Sequence, residues 1–482
     1  MNRTIRRASV FALLLVLALL ARATWVQFYD ARALADSEDN RRTTMERYSR
    51  PLGDILVGGE AVTGSKKVTG GDLRYQRSYK DGALWAPVTG FSSQVYGQTS
   101  LEGVYKDLLD GADPRLRTPQ DVLTRSPATP GDVVTTLDPA VQKAGYEALA
   151  GKKGAAFAMD PRTGKVLGMV STPSYDPSAI SGSEDGAAWA KLGKDPGKPM
   201  VDRALRQPLP PGSTFKLVVA AAALEDGLYA SVDQHTRSPD PYPLPLSTRT
   251  LGNESATAPC ENASIRVALQ YSCNTVFAKM AVDLGQDKVR AMAERFGFNT
   301  DDQDIPVRAY ASVYPEKMDA AQTALSGIGQ FDVTATPLQM AMVSAALSNG
   351  GELVDPYMVA RTTDGGGRVL EEHGDAGRRR VLSPDHARQL RSAMETVVTD
   401  GTGTNARIPG ATVGAKTGTA QHGENNSRTP YAWFTSYAKG ADGKSVAVAV
   451  MVEDSDAARA EVSGNGLAGP VAKAMMRAAL GV

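Results

Sequence analysis

The sequence predicts a mixed α+β domain, an antiparallel sheet flanked by helices, preceded by an N-terminal membrane anchor and an irregular membrane-proximal domain. Two observations carry this prediction. An apolar run stands directly behind three arginines at the N-terminus. Beyond residue 150, short apolar strands joined by turn residues occur at both ends, with helical patterns between them. The chain of 482 residues, 42% hydrophobic and 22% charged, is long enough for two to four domains. Its 53 basic residues balance 53 acidic ones, which removes the electrostatic case for nucleic acid as the main partner.

Arg3, Arg6 and Arg7 precede the apolar run Ala8 to Ala21, after which Arg22 interrupts and Trp25, Val26, Phe28 and Tyr29 follow. If Arg22 snorkels, Ala8 to Tyr29 is a single-pass anchor with aromatic residues at its outer boundary. The alternative is a cleaved export signal, since Ala21, Arg22 and Ala23 form an A-x-A pattern. Both readings leave residues 1–7 in the cytoplasm and send the rest outside, because the cationic flank stays inside.

Residues 30–150 are polar, rich in glycine and charge, and predict only a membrane-proximal module. Thr124 to Asp132 is a turn-rich linker, followed by Val133 to Leu137 and a helical pattern at Val141 to Ala150, which places the domain boundary near residue 150. From there, Gly154 to Met159 and Val166 to Ser171 form a hairpin around Asp160 to Gly164. Pro210, Pro211 and Gly212 break the chain before a helix at Ser213 to Leu224. Further helices are predicted at Ile265 to Tyr271, Leu338 to Ser348 and His386 to Thr399. Strands follow at Val413 to Thr419, Tyr431 to Tyr437 and Val446 to Glu453, and a last helix at Val471 to Leu480.

Three motifs carry chemistry. Ser213 and Lys216 stand at i and i+3 at a helix start, so the amine lies one turn from the hydroxyl. A desolvated lysine flanked by cations is neutral enough to take a serine proton, and free N–H groups at a helix start suit an oxyanion. Alone, this pattern reads equally as a cap and an exposed lysine. Ser272 and Asn274 flank Cys273 in a polar interruption, a hydroxyl to relay protons and an amide to hold a peptide; alone, they are an ordinary turn. Lys416, Thr417, Gly418 and Thr419 lie on a predicted strand. There they offer a fixed charge, hydroxyl donors and room for a substrate backbone, a combination that holds an anionic peptide terminus.

The three in this order resemble the SxxK, SxN and KTG set of penicillin-binding proteins and serine β-lactamases. The resemblance extends through Gly154 to Pro161, Asp202 to Ala204, Gly327 to Gln330, Thr336 to Met340 and Ala432 to Tyr437, all similar to the transpeptidase domain of class B penicillin-binding proteins. It covers about residues 152–482; the anchor and Asn40 to Ile55 resemble the start of such proteins more loosely, and the whole chain is most similar to the actinobacterial penicillin-binding protein A subgroup. About 150 residues precede the domain, which leaves no room for a glycosyltransferase domain.

The resemblance implies a serine β-lactamase/transpeptidase-like fold and D,D-transpeptidation of peptidoglycan stem peptides through an acyl-serine, blocked by β-lactams. It assigns Ser213 as nucleophile, Lys216 as base and Ser272 with Lys216 as proton shuttle. Lys416, Thr417 and Thr419 would hold the terminal carboxylate, with Asn274 and Gly418 also at the substrate, and backbone N–H groups of Ser213 and Thr419 would face the oxyanion. It also implies a SEDS-type membrane glycosyltransferase as partner. The alternatives are a β-lactamase, a carboxypeptidase, a β-lactam sensor and an inactive scaffold. No cofactor or metal is expected, since two cysteines and four histidines are too few and too scattered for a metal site. Cys273 should point away from the cleft; a disulfide with Cys260 and two free thiols are both open. His422 reads as a surface histidine, with no acidic group to orient it.

Overall fold

The computed structural model describes residues 3–30, 34, 41–69, 73–117, 128–301, 303–423, 427–455 and 457–482. Asn40 and the linker residues Thr124 to Pro127 lie outside them. Helix α1 (Arg3–Phe28) runs unbroken through the apolar stretch with no buried residue, long and apolar enough to cross a membrane. Arg22 reaches Asp30 at 3.3 Å, just beyond the C-terminal end of the helix.

The part that follows the apolar helix is more ordered than its sequence suggests. After β1 (Ile55–Val57) and β2 (Glu60–Ala61), strands β3 (Thr63–Lys67) and β4 (Tyr75–Tyr79) form a hairpin carrying the fully buried Arg77. Arg77 meets Glu102 at 2.6 Å and donates to the Gly53 carbonyl at 2.8 Å, while the Tyr79 hydroxyl donates to Glu102. Elements this short show no periodicity to read. Their order comes from a buried ion pair between residues distant in sequence, which destabilises strongly when one partner is removed.

Strand β5 (Asp132–Thr135) pairs in parallel with β1. Helix α2 (Pro139–Ala148), N-capped by Asp138, then leads to the hairpin of β6 (Lys153–Met159) and β7 (Val166–Thr172). The boundary expected near residue 150 cuts behind α2, but α2 packs on the C-terminal side. The Gln142 side chain both donates to and accepts from the Met169 backbone at 2.8 Å, and a Cβ on Gly145 would lie 2.8 Å from Met475 Sδ. Gln142 Nε2 also donates to the Leu84 carbonyl at 3.0 Å, so α2 touches the N-terminal part as well. Turn residues mark where the chain changes direction, not which layer covers the next helix.

The predicted helix at Ser213 is split into a 3-10 turn, Gly212–Phe215, and α3 (Lys216–Glu225). Helices α4 (Ile265–Gln270), α5 (Asn274–Leu284) and α6 (Pro337–Ser348) follow; α6 is apolar around its circumference and buried from Pro337 to Leu347. Strands β8 (Val359–Thr363) and β9 (Val369–Glu372) join the N-terminal strands in a second sheet, ordered β9-β8-β5-β1-β2. Residues 359–372 are thus stitched to the N-terminal strands. After α7 (Pro384–Asp400) come β10 (Ala411–Ala420), β11 (Tyr431–Gly440), β12 (Ser445–Asp454) and α8 (Gly469–Leu480).

The main sheet is antiparallel, ordered β10-β11-β12-β6-β7, with α2 and α8 on one face and α6 on the other. Strand β10 is an edge, and the turn before α3 packs beside it.

Candidate active site

Glycines shape the serine turn. Gly212 adopts φ +53°, a left-handed conformation that L-residues adopt with strain, and its N–H donates to the Gly329 carbonyl at 3.0 Å. A Cβ on Gly329 would lie 2.0 Å from the Gly212 carbonyl oxygen, so the Gly327–Gln330 segment clamps this turn. On the other side, a Cβ on Gly418 would sit 2.9 Å from the Pro211 oxygen and 3.1 Å from Thr214 Cγ2. The sequence suggested that Gly418 makes room for a substrate backbone; here the serine turn itself fills the space that a side chain would need.

Ser213 is 6% exposed, and its hydroxyl makes no hydrogen bond among the described residues. The other motif side chains bond to one another. Lys216 Nζ donates to the Ser272 carbonyl at 2.8 Å, to Ser272 Oγ at 3.3 Å and to Asn274 Oδ1 at 2.7 Å. Lys416 Nζ donates to the same Ser272 Oγ at 2.9 Å and to the Thr417 carbonyl at 3.0 Å. One hydroxyl is therefore shared by two amines. Ser272 holds φ +61°, a sparsely populated conformation for a non-glycine residue, at the point where α5 begins.

Both lysines are fully buried, and neither has a carboxylate within ion-pair distance among the described residues. Burial pushes Lys416 down to about 7. Lys216 lies well below the ordinary lysine range, first through burial and then through repulsion from Lys416; the Glu254 carboxylate opposes both shifts. Two adjacent buried amines disfavour each other's charge, so the surroundings of Lys216 favour its neutral form.

The remaining expected residues fall around this centre. Thr417 Oγ1 and Thr402 Oγ1 are 2.8 Å apart, and Thr419 is half-buried on the edge strand. Cys273 and Cys260 are buried and joined as a disulfide, which decides between the two open readings and leaves the Cys273 side chain turned from the cleft. His422 stacks on Tyr431 at 4.0 Å, with Nε2 at 2.6 Å from the Thr429 carbonyl, and touches none of the motif residues among the contacts described.

Two functional neighbours escape a sequence reading. Thr402 holds the Thr417 hydroxyl while its own N–H donates to Gln270 at the end of α4. Asn253 acts from outside as the cap of α5: its Oδ1 accepts from the Asn274 N–H at 2.6 Å and the Thr275 N–H at 3.2 Å, while its Nδ2 donates to Asp240 at 2.8 Å. The helix needs this, because its own cap position is the disulfide-bonded Cys273, which makes no side-chain cap. No spacing signal marks Asn253; the Tyr242–Pro243 and Thr250–Leu251 hairpin brings it there. Asn253→Ala is expected to cost about 1 kcal/mol of stability and, by letting Asn274 drift from Lys216, to slow acylation roughly tenfold or more. Gel-based labelling rates beside melting curves check both.

A serine at a helix-start turn, a buried lysine three residues on held below the ordinary lysine range, and an edge strand beside the turn form the constellation of a serine acyl-transferase. The comparisons with known proteins are specific. Residues 154–477 match the penicillin-binding protein transpeptidase domain, and residues 52–133 match the penicillin-binding protein A dimerisation domain. The chain belongs to the penicillin-binding protein transpeptidase family. It is 38% identical over 494 residues to the peptidoglycan D,D-transpeptidase PbpA of Mycolicibacterium smegmatis, covering 100% of this chain and 99% of that protein. The PbpA of Mycobacterium tuberculosis is 37% identical over 497 residues, with the same coverage. The ceftriaxone acyl-enzyme of penicillin-binding protein A from M. tuberculosis superposes with a TM-score of 0.84 at 36% identity, covering 90% of this chain and 100% of that one.

Proposed function

We propose that this chain is a peptidoglycan D,D-transpeptidase that β-lactams acylate. The observation that carries the reading is the Ser272 hydroxyl shared by two desolvated lysines behind Ser213. Ser213 Oγ attacks the carbonyl between the two terminal D-alanines of a stem peptide as Lys216 takes its proton. The tetrahedral oxyanion is held by the Ser213 and Thr419 N–H groups. Through Ser272, the proton passes to the leaving nitrogen, D-alanine departs and the acyl-enzyme remains. An amine of a second stem then attacks, and Ser213 recovers its proton. Lys416, Thr417 and Thr419 hold the terminal carboxylate, and Asn274 holds the peptide. Full-length similarity to proteins named as D,D-transpeptidases supports this, as does a relative solved as a β-lactam acyl-enzyme.

In the same reading, residues 1–7 are cytoplasmic, α1 anchors the chain, and the rest lies outside the membrane, because Arg3, Arg6 and Arg7 flank the inner end. The module up to β5 stands between anchor and transpeptidase domain. A SEDS-type glycosyltransferase supplies the glycan, since nothing in the proposed chemistry polymerises sugars.

The test uses the full chain in detergent with a fluorescent penicillin, followed by denaturing gel and intact mass. A label that persists for hours supports a site that excludes water, and release of D-alanine from a stem peptide that increases with an added acceptor amine establishes transfer. Label lost within seconds makes the protein a β-lactamase instead. Absence of label on folded protein makes it a scaffold.

A further inference from the structure

A cavity of about 230 Å³ lies where the membrane-proximal module meets the transpeptidase domain, away from the serine site. Helix Gly82–Thr89 and the segment running on to Ser100 form one wall; the chain after β7 and the turn carrying Asp202 and Arg206 form the other. It is smaller than the pockets that take drug-sized ligands. Part of its lining is aromatic, with Trp189 edge-to-face on Phe91 at 5.6 Å.

Most polar groups in the lining are already satisfied by the protein. The hydroxyls of Ser100, Ser171 and Ser174 donate to backbone carbonyls at 2.8, 3.0 and 2.7 Å. Asp202 is different. Its Oδ1 caps a short helix by accepting from the Ala204 N–H at 3.0 Å, whereas its Oδ2 is buried with no hydrogen-bond partner. Such an orphan is costly unless something supplies a donor. The Tyr175 hydroxyl and the Arg206 guanidinium, also in the lining, make no hydrogen bond among the described residues. The charged groups acting on Asp202 are Arg206 and Arg203, and Tyr175 feels its charge. Neither arginine reaches it within ion-pair distance, and burial raises its carboxyl to about 7.

The cavity therefore has an acidic pole inside, a basic pole at its exposed Arg206 rim and an aromatic wall. We propose that it binds a small zwitterion, an amino acid or the end of a short peptide, with its ammonium on Asp202 and its carboxylate on Arg206. A simple cation meets repulsion from Arg206, and a simple anion meets the unpaired carboxylate. D-Alanine, the leaving group of the proposed reaction, has the required chemistry and is the natural probe; only this choice rests on the functional reading.

The experiment is calorimetric titration of the full chain in detergent with D-alanine, after Ser213 has been acylated by penicillin and the acylation verified by mass. The serine cleft is then filled, so failure of acylation and failure of the cavity are read separately. D-Lactate, which lacks the ammonium, and D-alaninamide, which lacks the carboxylate, are titrated alongside. The expected result is saturable binding of D-alanine, with both analogues at least about tenfold weaker. Arg206→Gln and Asp202→Asn are each expected to weaken D-alanine about tenfold without changing the rate of penicillin labelling. If Asp202→Asn fails to fold, Arg206→Gln carries the test alone, because Arg206 is exposed. The proposal is overturned if the wild type shows no saturable binding, if either analogue binds as well as D-alanine, or if folded variants bind like the wild type.

Discussion

Ser213→Ala forms no covalent adduct with a fluorescent penicillin and keeps its fold. In the proposed mechanism the acyl bond is made to Ser213 Oγ, so no neighbouring group substitutes for it and the expected loss is complete rather than partial. Stability is expected to change by no more than about 1 kcal/mol. The hydroxyl makes no hydrogen bond among the described residues, and the turn is held by Gly212, Gly329 and Gly418 rather than by the serine side chain. Intact mass after incubation reads the adduct, and a melting curve reads the fold. An adduct on the alanine variant would move the nucleophile elsewhere. Ser272→Ala makes a useful contrast, since it keeps the nucleophile while depriving two amines of a shared acceptor.

Lys216→Met slows acylation by about 10²–10⁴-fold, the usual contribution of a positioned base. The wild-type rate is expected to rise with pH along an acid limb that lies below the ordinary lysine range, because Lys216 must be neutral and its environment favours the neutral amine. Methionine removes that limb. Stability changes in a direction that can be worked out. A lysine depressed in the folded state binds its proton more tightly when unfolded, so stability rises with pH from the folded pKa up to the unfolded one, about 10.4. Lys416 gives this slope from about 7 upward, and Lys216 adds its own from a lower folded value. The methionine variant should therefore gain less in melting temperature between neutral and alkaline pH. Wild-type labelling rates in the variant would remove Lys216 from the role of base.

Much of this centre was legible in one dimension. Ser213 and Lys216 are bound to one face by helical spacing, and Ser272 with Asn274 announced itself as a polar break between two apolar helices. The strands from Val413, Tyr431 and Val446 lie within a few residues of their predicted limits because each reads as an alternating or apolar stretch. The membrane-proximal module was illegible for the opposite reason. Its strands are two to five residues long, and its order rests on Arg77 with Glu102, a pair that no local pattern announces.

By itself the sequence determined the residue types of the site, their order along the chain, the secondary structure that carries them and the apolar helix ahead of them, because periodicity and turn chemistry are local. Tertiary structure alone decided that one serine hydroxyl lies between two lysines, that Asn253 caps the helix of Asn274, that Gly418 yields its space to the serine turn, and that Cys260 is bonded to Cys273. These depend on which surfaces are pressed together and stripped of water. Desolvation, which lowers Lys216 well below the ordinary lysine range, is a property of the packed interior and is absent from any stretch of chain read alone.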